Sequence, residues 1–215
     1  MRYVVAIVIG AALSVNLAHA QTATGDPEHG YVEAVAQSAF GNVTSQSYGV
    51  EVGYSLEPAV QIFAEGGRTR DVATSELGNA AQLIAGALSQ TQSGVSFTVR
   101  EPVTFGAAGV RYLFDSGTKV RPYALAGFGI ARVKHDVAFN VGSTDVTSSI
   151  SQYGIVLGTD LTGSFTKPML LLGAGATYPA WRQLVFDFQF RYGRIFAPDS
   201  GINVSRAGIG VGFVF

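Results

Sequence analysis

The chain has 215 residues, a formal net charge of −1, 47% hydrophobic but only 13% charged residues, and no cysteine. Near-neutral charge with no block of one sign excludes an electrostatic nucleic-acid binder, and the absence of cysteine excludes a disulfide-stapled secreted domain. Past residue 20 no stretch approaches the twenty or so apolar residues of a spanning helix, so the hydrophobic residues must be dispersed in alternation.

At the N-terminus, Arg2 precedes an apolar run from Tyr3 to Leu17, and Ala18-His19-Ala20 then supplies the small-x-small pattern of a signal-peptidase site. This predicts a signal peptide over 1–20, cleaved after Ala20, and a short lead over 21–29. An uncleaved membrane anchor is the alternative, for which the run is short. An exported chain without thiols fits the bacterial envelope, where a hydrogen-bonded sheet supplies the stability.

Alternation then recurs along the chain. Over Ser47–Leu56, Tyr48, Val50, Val52, Tyr54 and Leu56 share one face, and over Gln183–Tyr192, Leu184, Phe186, Phe188, Phe190 and Tyr192 do the same. Further strands are predicted at 30–39, 59–69, 103–114, 120–133, 167–178 and 203–215, most near the ten residues of a tilted membrane strand. The opposite faces hold mainly Gly, Ala and Ser with occasional charges. A soluble sandwich or lipocalin-like barrel would show Lys, Thr and Glu there in quantity, whereas a narrow lumen has this composition. The large apolar face then meets hydrocarbon, which a sheet can do only when closed.

The links between strands alternate in length. Those spanning 40–46, 70–102, 134–166 and 196–202 are mostly long, whereas Glu57-Pro58, Asp115–Thr118 and Pro179–Arg182 are tight turns. This predicts eight antiparallel strands with loops outside and turns in the periplasm. Tyr54, Tyr112, Phe114, Tyr123, Tyr178 and Trp181, with Phe213 and Phe215, fall near the periplasmic ends and are expected to form an outward-facing aromatic girdle.

Within the 70–102 link, Leu77, Ala81, Ile84 and Leu88 recur at helical spacing, which predicts a short amphipathic helix with Ser75 as N-cap, lying over the mouth or on the membrane surface. A flexible loop is the alternative. Phe97 and Phe139 have no lipid to face, and either a partner or a loop packing on itself would account for them.

Parity turns Glu33, Glu51 and Glu65 inward from strands one to three, and Arg111, Asp187, Arg191 and Arg206 inward from strands four, seven and eight. Glu65 and Arg191 are expected to meet across the axis and fill the lumen; the alternative leaves each charge solvated near a mouth. His135 sits beside Asp136, but the pattern lacks a partnered nucleophile, and neither a metal-ligand spacing nor a phosphate loop is present. No catalytic residue, cofactor or metal is therefore expected.

The signal sequence, the alternation, "VRPYALAGFGIARV" at 120–133 and "GVGFVF" at 210–215 resemble the small outer-membrane β-barrel group that includes the OmpA-like and OmpX-like barrels. The resemblance covers roughly residues 30–215. It implies that Ile209, Val211, Phe213 and Phe215 form the last strand that the barrel-assembly machinery recognises, and no peptidoglycan-binding domain is expected after Phe215. The expected role is structural or interactive, with the 70–102 and 134–166 loops meeting an extracellular partner. A small-solute channel is the alternative and a lipid-modifying enzyme the more remote one.

Overall fold

The computed structural model describes residues 29–41, 43–197 and 201–215; the expected signal peptide and nearly all of the lead lie outside these residues. Eight strands close an antiparallel barrel: β1 (Gly30–Phe40), β2 (Ser45–Glu57), β3 (Val60–Thr69), β5 (Val103–Leu113), β6 (Arg121–Lys134), β9 (Ser164–Trp181), β10 (Leu184–Ile195) and β11 (Ile202–Val214). Each pairs with its neighbour in sequence around the barrel, and β1 meets β11 to close it, with Tyr31 opposite Val214 and Phe40 opposite Ser205. No backbone edge is left to face lipid along this wall, which is what permits a sheet to span a membrane. No helix among the described residues is long and apolar enough to cross one.

Three links at one end are short. Pro58 and Ala59 join β2 to β3, residues 114–120 join β5 to β6, and Arg182 and Gln183 join β9 to β10. The last of these corrects the expected Pro179–Arg182 turn. β9 runs on to Trp181, and a register shift next to Leu184 lets Pro179 pair with Val185 inside the ladder. Proline lacks a donor, and an irregularity of this kind is where a strand tolerates it. Arg182, the only described non-glycine residue with positive φ (45°), makes the tight reversal.

At the other end the two longest links fold on one another. The 70–102 link carries helix α1 (Ser75–Ser89) and strand β4 (Val95–Arg100), and the 134–166 link carries β7 (Asp136–Val141), the short β8 (Thr144–Asp145), a 3-10 turn over Thr147–Tyr153 and the one-turn helix α2 (Thr159–Thr162). β4, β7 and β8 form a second sheet outside the barrel, with Val95, Phe97 and Val99 directly opposite Val141, Phe139 and Val137. The helix is present where its spacing predicted it. Its N-cap is Thr74 rather than Ser75, because the Thr74 hydroxyl accepts the Leu77 amide at 3.3 Å.

Candidate functional site

The inward faces of the barrel strands stack in three levels. Nearest the long links lies an apolar layer that includes Val103, Phe105, Val133, Leu171, Ile195 and Val204, all buried. Below it lies the charge network. Near the short links a cavity of about 120 Å³ is lined by Tyr31, Glu33, Arg111, Leu113, Arg121 and Thr177 among others.

The network gathers the expected lumen charges. Glu33, Glu51, Glu65, Arg111, Asp187, Arg191 and Arg206 are all buried inside the barrel. Glu51 is the hub: it binds Arg111, accepts the Arg191 guanidinium at 3.0 Å and takes a hydrogen bond from the Tyr31 hydroxyl at 2.6 Å. Arg111 also lies 3.5 Å from Asp187 and 3.7 Å from Glu33. Glu65 is bound by Arg206 at 2.7 Å and faces Arg191 across the lumen at 3.6 Å, so the predicted pair forms with Arg206 as the closer partner of Glu65. Gln189 extends the chain, donating to Glu33 at 3.3 Å and accepting from Gln37 at 3.1 Å. Every acid thus meets a donor from another strand, the condition under which buried charge is tolerable.

Tyr123 corrects one expectation. It is not part of an outward girdle: at 2% exposure it points into the lumen, donates to Asp187 at 2.7 Å, accepts from Arg191 at 3.0 Å and lies under the Arg111 guanidinium, 4.1 Å from its ring centre. Small residues dilute both faces of β6, so the pattern alone did not fix its parity. The register does, through Phe128, which is 64% exposed on the other face. Gly175 also makes room, since a Cβ there would come 2.4 Å from the Tyr123 hydroxyl. Tyr31 packs in the same way over Gly53. Neither the tyrosine pair nor Gln37 was expected in the lumen, whereas Gln189 shares the inward parity of Asp187 and Arg191 on its strand. For Tyr31 the available signal was the inward parity of Glu33, two residues away. The remaining expected girdle residues, Tyr54, Tyr112, Phe114, Tyr178 and Trp181, are exposed on the outer wall, as are Ile209, Val211, Phe213 and Phe215.

Outside the barrel, α1 lays Leu77, Ala81, Ala85 and Leu88 on Val137, Phe139 and Val146, with Ile150 and Leu161 closing the cluster. The helix therefore sits on a sheet rather than on the membrane surface, and Phe139 is buried by loop packing while Phe97 stays partly exposed at the edge. Glu101 ties this unit to the barrel. Its carboxylate accepts the Thr74 amide at 3.0 Å and faces His135 Nε2 at 3.2 Å, while its own amide donates to Asp71 at 2.9 Å. Burial raises the Glu101 carboxyl above the ordinary carboxylate range, against the opposing pull of the Thr74 amide and His135. His135 thus belongs to a structural tie with an edge-on Phe165 ring 5.3 Å away.

The free side of β4 is the other notable surface. Gly142 donates to the Gly94 carbonyl, and Val146 donates to the Phe139 carbonyl on the far side of β7. The even-numbered residues of β4 therefore bond to β7, and the backbone groups of Val95, Phe97 and Val99 point outward. Among the described residues no strand pairs with that edge.

A family profile described as the outer membrane protein beta-barrel domain matches residues 6–215. Among solved structures, Neisserial surface protein A superposes with a TM-score of 0.53 at 14% identity, covering 87% of this chain and 96% of its own. A major outer membrane protein from Thermus thermophilus superposes with a TM-score of 0.52 at 12% identity, covering 86% and 99%. These likenesses establish shared fold. No curated protein sequence matches.

Proposed function

The chain belongs to the outer membrane protein β-barrel family and resides in the bacterial outer membrane, and from that premise we propose that it acts as a surface-interaction protein built on a closed barrel. The 70–102 and 134–166 links meet the partner. The observation that carries this reading is that they form a folded unit with its own core and an open strand edge, where unstructured loops would have closed the strands just as well. An extended peptide could add to β4 through the outward groups of Val95, Phe97 and Val99. Leu83 and Val156, 77% and 87% exposed, add apolar surface to the same unit.

The proposed closure of the lumen rests on the apolar layer above the charge network: an ion would have to cross a dry constriction of Val, Ile and Leu side chains before reaching any charge. A small-solute channel would require that layer to part. The last-strand residues Ile209, Val211, Phe213 and Phe215 are proposed as the signal for the barrel-assembly machinery.

The test has two arms. In planar bilayers the purified barrel is expected to give no steady single-channel current, and large, steady currents would promote the channel reading. For binding, Val99→Pro removes an outward donor of β4 without touching the ladder to β7. Adhesion of cells displaying this variant to host or bacterial surfaces is expected to fall to the level of cells lacking residues 75–100. Wild-type adhesion by both variants would refute the assignment of the partner face to this unit.

A further inference from the structure

We propose that the outer wall carries, at its extracellular rim, a binding face for the phosphate groups of outer-leaflet lipid, centred on Arg68 and Arg132. The two arginines stand on β3 and β6, and the ladder registers put them in one cross-strand row either side of β5: Arg68 is opposite Thr104, Thr104 is opposite Arg132, and Arg132 is opposite Thr166. All four side chains are exposed and have the parity of the lipid-facing wall, since their neighbours Thr69, Val103 and Val133 are buried inside.

The depth is that of a membrane interface. One pleat below Arg132 on the same face come Ile130 and then Phe128, 61% and 64% exposed to hydrocarbon. The row above lies at the ends of the strands, where the long links begin. Arginines at such a height extend their apolar stems along the wall and place their heads among lipid headgroups.

The row holds no carboxylate, and among the described residues neither guanidinium has an acidic partner; Arg132 donates only to the Ser164 hydroxyl, at 3.3 Å. Lys167, opposite the buried Ala131, has inward parity, and three other basic groups near this rim are engaged: Lys134 pairs with Asp136 at 3.3 Å, Arg70 donates to Gln46 at 2.8 Å, and Arg194, on β10 across the barrel, donates to Asn203 at 3.1 Å. Arg68 and Arg132 are two strands apart, roughly 10 Å at the usual strand spacing. Two guanidinium forks can close that gap onto one phosphate, with Thr104 between them as a hydroxyl donor. Charge complementarity and continuity with the lipid-facing surface thus select one occupant, a phosphate-bearing lipid of the outer leaflet. This inference depends on the barrel and its orientation, and is independent of what the extracellular unit binds.

The experiment uses the folded barrel in phosphatidylcholine nanodiscs doped with bis-phosphorylated lipid A or with the same lipid after enzymatic dephosphorylation. Lipid retained on transfer to detergent is counted by native mass spectrometry, and heat-modifiable gel mobility verifies that each variant is folded. Retention is expected to require the phosphates. It should fall about five-fold for Arg68→Gln or Arg132→Gln, on the order of thirty-fold for both, taking about 1 kcal/mol per basic residue at an anionic surface. Arg194→Gln and added inorganic phosphate should leave it unchanged. Equal retention of the dephosphorylated lipid, or undiminished retention by the double variant, would overturn the proposal. Displacement by inorganic phosphate would overturn the lipid assignment in favour of a free-anion site. Should the double variant fail to fold, the two single variants decide.

Discussion

Glu51 shows how a narrow lumen makes charge structural. Its oxygens meet Arg111, Arg191 and Tyr31, three side chains from three strands other than its own. The three guanidiniums differ in their alternatives. Arg206 serves Glu65 alone and packs its head 4.2 Å from the centre of the Phe105 ring, whereas Arg191 reaches both Glu51 and Glu65. Removing Arg191 leaves Glu51 with Arg111 and Glu65 with Arg206, but both acids lose a partner in a place water hardly reaches. Arg191→Ala is therefore expected to cost about 3–5 kcal/mol in urea unfolding from detergent or lipid. Double-mutant cycles should find its coupling to Glu51, at 3.0 Å, larger than its coupling to Glu65, at 3.6 Å with a nearer competitor. Equal and additive effects would mean that the charges are solvated individually. The identity and inward parity of these seven residues were legible in the sequence. Their partnering was not, because it depends on the height of each side chain along a tilted strand, which only the ladder registers fix.

At the level of elements, what was legible tracks period and length. Long strands with large residues on one face, such as β2 and β10, were located to within two or three residues, while β4 and β7 went unrecognised as strands. Six residues each, they lie in links where alternation over three pairs is hard to distinguish from chance, and their partner is another loop rather than a barrel strand. Tyr123 was misassigned on the longest-recognised motif because Ala and Gly dilute both faces of β6. The tie between barrel and outer unit was also invisible, since residues 71, 74, 101 and 135 come from three separate stretches. Its titration gives a test. Glu101 is raised above its unfolded value of about 4.3, so the folded state favours its protonated form; the stability it adds is complete below the unfolded value and is lost as pH rises through the higher folded value. The groups facing it are His135, Asp71 and the Thr74 amide. Hydrogen exchange across the first turn of α1, corrected for intrinsic rates, should show protection decreasing as pH rises from about 4.3, and Glu101→Gln, which stays neutral, should flatten that dependence. Protection that rises with pH in the wild type would contradict the assignment.

For the whole molecule, the decisive join is the seam between β1 and β11, where chain ends far apart in sequence must find each other. Phe215 occupies its last step. Its amide donates to the Gly30 carbonyl at 2.8 Å, its carbonyl accepts the Gly30 and His29 amides at 2.8 and 2.9 Å, and its ring lies against Gly30 so closely that a Cβ there would come within 2.7 Å of it. Two roles are thus superimposed on one residue: a backbone role in closing the sheet and a side-chain role, on the outer wall, in the proposed assembly signal. They separate experimentally because alanine keeps the first and loses the second. Phe215→Ala retains every seam hydrogen bond and gives up part of the roughly 1.5–3 kcal/mol of a large side chain's transfer from water. Deleting Phe215 removes the bonds as well, at about 0.5–1.5 kcal/mol each. Refolding from urea into phospholipid vesicles needs no assembly machinery, so Phe215→Ala should there approach the wild-type yield of heat-modifiable barrel, and the deletion should fall short. In cells both variants should be exported, and both should reach the outer membrane in reduced amount. If Phe215→Ala inserts in cells at the wild-type level, the side chain is no assembly signal and the residue acts through its backbone alone; if it fails equally in vesicles and in cells, the aromatic ring is needed for the seam itself.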